Sequence, residues 1–208
     1  MPATQDEIAA KFMELAFRYG YRRTAVEDVA RALRISKKTI YEYFPSKEAL
    51  LEYALELGAR GQRLRVESLL TEATALGRAL EATSIALADA RAFFEQSPNA
   101  EMVEPPELQA QVNERVYGPM MRDLLEQGVA AGEFEVTDID MTTKFVLVVG
   151  MEGVRLIRED PASHPEQATL QAMRRLITGE SVAAAPAGTD EPAGAKKSKK
   201  KKAKKRVR

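Results

Sequence analysis

The 208-residue chain has no cysteine, no tryptophan and a single histidine, His164. Without thiols there is no disulfide framework and no Cys-based zinc site, and one histidine cannot assemble a Cys/His nucleophile system. His164 lies in DPASHPEQA, between two prolines, where a loop residue or helix-capping neighbour is expected rather than a ligand. No apolar run approaches membrane-spanning length, and the N-terminal MPATQDEIAA is acidic and polar, unlike a basic-then-apolar leader. A cytoplasmic protein with no membrane partner is therefore expected. Also missing are a Gly-rich phosphate loop, an ordered Ser, His and Asp set and any metal-ligand spacing. Neither a catalytic residue, a metal nor a cofactor is expected, and the chain does not read as an enzyme. The neighbouring acids Asp138 and Asp140 fit the first turn of a helix, where the dipole favours negative charge.

Charge of one sign is absent only locally. Lys plus Arg and Asp plus Glu both number 31, yet residues 195–208, AKKSKKKKAKKRVR, hold ten bases and no acid. That leaves 21 bases against 31 acids in the remainder, so a body near −10 carries a tail near +10. Residues 183–195, AAAPAGTDEPAGA, are small, Pro- and Gly-containing and without apolar periodicity, the composition of a linker. Such a tail suits nucleic acid, anionic lipid or the acidic body itself.

What is present is a helical pattern with a distinctive stretch at 24–50, TAVEDVARALRISKKTIYEYFPSKEAL. The spacing Thr24-x-x-Glu27 predicts a capping box at the start of a helix, with Val26, Val29, Ala30 and Leu33 on one face. After a turn at Arg34-Ile35, Ser36 is placed to cap a second short helix. Ile40 and Phe44 face inward there, and Lys37, Lys38, Thr39, Tyr41, Glu42 and Tyr43 are left outside. Pro45 ends that helix and Ser46 caps the next. A small three-helix core with ordinary polar faces accounts for the apolar positions. The second helix adds lysines, a hydroxyl and two tyrosines within two turns, the mixture that phosphates and base edges of double-stranded DNA require. Lys37, Lys38, Thr39 and Glu42 are the expected base readers, with Glu42 suited to accept from cytosine N4.

The stretch AAKFMELAFRYGYRRTAVEDVARALRISKKTIYEYFPSKEALLEYAL resembles the DNA-binding domain of the TetR family of bacterial transcriptional regulators, over about residues 8–55. An aromatic-Gly-aromatic loop, a Thr, a Val-Ala pair, Ser-Lys-x-Thr-Ile-Tyr-x-Tyr-Phe and Ser-Lys-Glu-Ala-Leu stand in the family's order and spacing. Two positions depart from it: Arg34 and Lys38 stand where the family often has glycine. A non-glycine residue at positive φ costs free energy, and Lys38 adds a long cation at the reading surface. The resemblance implies an all-α fold. It comprises an N-terminal three-helix helix-turn-helix DNA-binding domain at 1–47 and a helical ligand-binding and dimerisation domain at 48–182, followed by the linker and lysine-rich tail at 183–208. It further implies phosphate contacts from Thr24, Tyr41, Tyr43 and Lys47, with Ser36 among the DNA-binding residues, and a homodimer acting as a ligand-responsive repressor on a palindromic operator. It also sets aside a nuclear-localisation reading of the tail.

Beyond the head, apolar spacing predicts helices at 6–19, from Ser46 through a soft point near Gly58 and Gly61, at 78–96, at 105–117, at 119–131 after a break at Gly118-Pro119, at 138–159 and at 165–178. The run Phe145 to Val149 has strand-like β-branched content, but its length and its continuation through Val154 and Ile157 favour a helix apolar nearly all round. By itself that is the buried centre of a monomer or one side of an interface. The family resemblance implies pairing of the last two long helices between subunits, here through Gly150, Gly153, Val154, Ile157, Leu170, Met173 and Ile177. It also implies a small-molecule effector between head and interface. Phe93, Phe94, Met102, Tyr117, Met120, Met121, Leu124 and Phe145 are soft and aromatic enough to line such a site for an apolar compound, or to be plain core. Glu101, Glu104 and Glu107 read as an acidic loop or a selector for cations. The competing reading is a nucleoid-associated or architectural DNA-binding protein that uses the same head and coats DNA through its tail.

Overall fold

A computed structural model of the chain describes residues 3–97 and 106–179. Among them are eight α-helices and no strand: α1 Gln5–Tyr19, α2 Val26–Leu33, α3 Lys37–Tyr43, α4 Lys47–Leu69, α5 Ala75–Gln96, α6 Pro106–Ala130, α7 Ile139–Glu159 and α8 Glu166–Thr178. This is the all-α architecture expected, with a helix-turn-helix head followed by a helical body. No helix among the described residues is long and apolar enough to cross a membrane.

Local chemistry explains most boundaries. Thr4 and Glu7 form a reciprocal cap on α1, with Glu7 N–H donating to Thr4 Oγ1 at 3.2 Å and Thr4 N–H to Glu7 Oε2 at 2.7 Å. Gly20 ends α1 at φ 86°, a conformation that favours glycine. The cap predicted at Thr24 is displaced by one residue. Thr24 is 2% exposed, and its hydroxyl donates to the Gly20 carbonyl at 2.9 Å. Helix α2 begins after Ala25, whose N–H donates to Asp28 Oδ2 at 3.2 Å. The tight loop after Gly20 claims the threonine, so Asp28 and not Glu27 closes the helix start.

Arg34 ends α2 at φ 56°, ψ 39°, the only non-glycine with positive φ among the described residues. Its N–H reaches the Ala30 and Arg31 carbonyls, and Ile35 N–H returns to Ala30 at 3.0 Å. The chain thus makes a left-handed turn at a non-glycine residue and bears its cost. Ser36 accepts from Thr39 N–H at 3.0 Å, and Ser46 accepts from Ala49 N–H at 3.1 Å, as the sequence predicts.

Helix α4 runs unbroken through Gly58 and Gly61, where no neighbouring atom crowds the backbone. The predicted break at Gly118-Pro119 is also absent, since α6 passes through Pro119. Proline removes one backbone donor, but Val112, Val116, Met121 and Leu125 are all buried on either side of it. Their packing outweighs the lost bond. Helix α5 starts ahead of its expected position, capped by Thr74 through Gly77 N–H at 3.0 Å. Glu133, from the loop after α6, accepts from Ala75 and Leu76 N–H at 3.0 Å each.

The first buried cluster joins Ile8, Phe12, Val29 and Ile40 of the head to Leu50 of α4 and to Val112 and Val116 of α6. A second collects Leu125, Phe134, Val146, Met173 and Ile177, and a third Leu87, Phe94 and Ile157. Arg91 pins the loop between α7 and α8 by donating to the Pro161 and Ser163 carbonyls at 2.5 and 2.8 Å and to Glu166 at 2.5 Å. His164 lies exposed in that loop.

Candidate DNA-reading face and effector cavity

Helix α3 presents Ser36, Lys37, Lys38, Tyr41, Glu42 and Tyr43 to the exterior, held by the buried Ile40 and Phe44. Lys37 pairs with Glu27 of α2 and lies 5.5 Å from the Tyr41 ring centroid. The hydrogen bond between them raises the Lys37 pKa and lowers that of Glu27. Lys38, its side chain 87% exposed, stands 4.0 Å from Glu42. Thr39 is half-buried, its hydroxyl 2.8 Å from that of Ser36. Lys47 is turned toward the loop before α2, donating to the Tyr21 carbonyl at 2.7 Å with its nitrogen 4.2 Å from the Tyr21 ring centroid. Burial there lowers its pKa. Thr24 does not join this surface, because its hydroxyl is buried and spent on Gly20. Tyr21, which positions Lys47, was not singled out in the sequence, and Glu27, which positions Lys37, was read there only as a helix-capping residue. Nothing short of the loop geometry marks them.

Between head and body lies a cavity of about 500 Å³ bounded by α4, α5, α6 and α7, with Phe17 of α1 at its edge. Phe93, Phe94, Tyr117, Met120 and Met121 line it as expected. Leu124 does not, being buried in the second cluster one turn further along α6. Nor does Phe145, which is 52% exposed on the opposite face of α7, while its neighbour Val146 points to the cavity. One residue is about 100° around a helix, which reverses the assignment. Met102, Glu101 and Glu104 lie outside the described residues, and Glu107 is exposed at the start of α6.

Of the cavity's polar members only Tyr117 was expected from sequence, while Gln62, Asp89, Gln109 and Asn113 were missed. Gln109, Asn113 and Tyr117 sit at four-residue spacing on α6, a polar line within an apolar face that periodicity alone exposes. Tyr117 donates to Gln62 Oε1 at 2.7 Å, and Gln109 Nε2 donates to Asn113 Oδ1 at 3.0 Å. Burial, with the Asp89 charge nearby, pushes the Tyr117 hydroxyl up to about 12. Asp89 itself accepts from Arg65 through both oxygens, at 2.9 and 3.1 Å. Phe17 meets Phe93 edge-on with centroids 5.0 Å apart, and Phe93 meets Phe94 likewise at 5.2 Å.

The residues expected to face a second subunit face inward instead. A Cβ on Gly153 would lie 2.7 Å from Thr169 Oγ1 and 2.9 Å from Leu87 Cδ2 of the same chain. Ile157, Met173 and Ile177 are fully buried, Gly150 and Val154 line the cavity, and Leu170 is half-buried. The glycine spacing therefore serves the approach of α7 to α5 and α8 within one subunit. The outward face of α7 carries Met141, Phe145, Val148 and Leu156, beside Leu176 of α8, all exposed.

Residues 8–54 match the family model described as bacterial regulatory proteins, tetR family. Curated protein sequences give no match to the chain. Among solved structures, RolR without ligand is similar at 19% identity and a TM-score of 0.69, over 84% of this chain and 90% of its own. RolR in complex with resorcinol gives 19% and 0.62 over 83% and 86%. A transcriptional regulator FadR from Bacillus subtilis in complex with stearoyl-CoA gives 19% and 0.62 over 84% and 98%. At such identities the likeness, over more than four-fifths of the chain, is one of fold. With its motif-bearing residues carried on a helix-turn-helix head, the segment 8–54 is a DNA-binding domain of the tetR family of bacterial regulatory proteins, set on an all-helical body of similar fold to RolR and FadR.

Proposed function

We propose that this DNA-binding regulator is a repressor that binds a palindromic operator as a homodimer in the cytoplasm and releases it when a small apolar molecule enters the cavity. The supporting observation is the dual use of α4. Its first half places Leu50 and Leu51 in the head's core, while Leu55, Gly58, Gln62 and Val66 wall the cavity. Phe17 of α1 touches the same space. An occupant that moves α4 therefore moves the head, and it shifts the DNA equilibrium by its differential affinity for the two states. RolR and FadR, of similar fold, hold resorcinol and stearoyl-CoA. The body spans 48–182 and the head 1–47 in this reading.

Lys37, Lys38, Thr39 and Glu42 read bases. Ser36, Tyr41, Tyr43 and Lys47 contact phosphate, Lys47 after release from Tyr21. Thr24 supports the loop rather than the DNA. Footprinting of full-length protein on its own upstream DNA tests the reading, with one or a few palindromic protected sites expected. Spreading protection with weak sequence preference overturns it in favour of a DNA-coating protein that relies on the lysine tail. Lys37→Ala and Glu42→Ala should each cost about 1–3 kcal/mol at particular base pairs, and unchanged site preference in both overturns the base assignments.

A further inference from the structure

The cavity's charge inventory restricts what it accepts. Among its described lining residues there is no Lys, Arg or His, and Asp89 is the one carboxylate side chain. We propose that the occupant is an uncharged amphiphile, apolar over most of its surface with one hydrogen-bonding end, and that carboxylates, phosphate esters and permanent cations are excluded. This rests on the effector reading above and narrows it to a chemical class.

An anion entering this space leaves water without a counter-cation, the costliest form of burial. A cation fares little better, because both Asp89 oxygens are already taken by Arg65. Nor do the rings form a cation cage: Phe17, Phe93 and Phe94 pack edge to face in series rather than turning their faces toward a common point. A neutral polar group, by contrast, finds matched partners. The line Gln109, Asn113 and Tyr117 on α6 faces Gln62 of α4. Once Tyr117 and Gln109 have donated, the amide N–H₂ groups of Gln62 and Asn113 donate to no described residue. These amides carry no charge at any pH, and Tyr117, pushed up to about 12, stays a neutral hydroxyl. The charges nearby are already matched, Asp89 with Arg65 and, outside the lining, Arg63 with Glu67. The opposite wall, with Ala86 and Ala90 of α5 and Met151 and Val154 of α7, is small or apolar and suits a hydrocarbon body.

The test uses full-length protein and three probes with the same ten-carbon chain: decanol, decanoate and decyltrimethylammonium, each below its micelle concentration. Isothermal titration calorimetry measures binding, and fluorescence anisotropy follows operator release in the same samples. Decanol should bind most tightly. Decanoate enters only as its neutral acid, so near neutral pH it should bind roughly 10²- to 10³-fold more weakly, recovering about tenfold for each unit of pH lowered. The ammonium should bind weakly at every pH. Tyr117→Phe should weaken decanol by roughly tenfold, and Asn113→Lys should turn the preference toward decanoate. If decanoate or the ammonium binds as tightly as decanol near neutral pH, or decanol does not bind, the charge-exclusion argument is overturned. The effector reading fails separately, if decanol binds and operator affinity is unchanged. A charged probe that binds more tightly and releases operator overturns the class and leaves that reading standing.

Discussion

Replacing Phe145 and Val148 together with glutamine should convert the proposed dimer to monomers without unfolding either. The two side chains are 52% and 62% exposed on the outward face of α7, so neither contributes much to the core of its own subunit. Fully burying a Val or Phe side chain is worth about 1.5–3 kcal/mol. Covering the exposed half or more of each therefore gives roughly 2–3 kcal/mol per subunit. A two-fold interface counts every substitution twice, bringing the total to about 4–6 kcal/mol, or on the order of 10³- to 10⁴-fold in the dimer dissociation constant. Glutamine is a good helix former, so α7 itself should survive. Sedimentation velocity over a wide concentration range gives the dissociation constant, and thermal unfolding followed by circular dichroism at a concentration where both forms are monomeric checks the fold. A double variant that sediments like the parent, with the same dissociation constant, refutes α7's outer face as the contact. A variant that unfolds even as a monomer refutes the claim that these residues are free of the core.

The two glycines of α7 should behave oppositely, because a Cβ at Gly150 meets only Thr83 at 4.0 Å while one at Gly153 runs into Thr169 and Leu87. Gly150→Ala should stabilise by about 0.5–1 kcal/mol, whereas Gly153→Ala should lose that gain to about 1–3 kcal/mol of overpacking, as denaturant titration of each will measure; equal effects refute the internal packing of Gly153. Glu133 and Glu166 have lowered pKa values, the first through the α5 backbone N–H groups and the second through Arg91. With folded values below unfolded ones, their stabilisation is complete above the ordinary carboxylate range and is lost as pH falls through the lowered values. Glu133→Gln should therefore lower Tm near neutral pH and converge on the parent in acid, and a constant difference down to low pH counts against the cap. A chain ending at Ala195 lacks ten bases. It should keep operator preference while the slope of log K against log salt becomes shallower by several units, at most about 9 per subunit; identical slopes remove DNA as the tail's partner.

Much of the head was legible because its signals are local. Ser36 and Ser46 cap where hydroxyls precede apolar periods, and the exposed side of α3 follows from the inward positions of Ile40 and Phe44. Thr24 misled because a loop carbonyl, invisible in sequence, competes for its hydroxyl. Pro119 misled because local propensity said break while burial on both sides said continue. In the body the elements were readable and their facing was not. Helix α7 is apolar on several sides, so hydrophobicity could not tell Val146, which lines the cavity, from Phe145, which looks outward. The same ambiguity sent Gly153, Ile157, Met173 and Ile177 to the wrong partner. The polar line on α6 passed unnoticed because amides in an apolar face resemble solvent positions until another helix covers them.

The first buried cluster ties Val112 and Val116 of α6 and Leu50 of α4 to the head's own Ile8 and Phe12. A reading head excised after α3 would thus expose a raw apolar seam instead of a finished surface. Exchanging heads between relatives, an obvious route to new operator specificity, must carry α4 along and match the α6 residues beneath it. The proper unit of transplantation is a patch of interlocking side chains from distant parts of the chain, not a contiguous stretch of sequence.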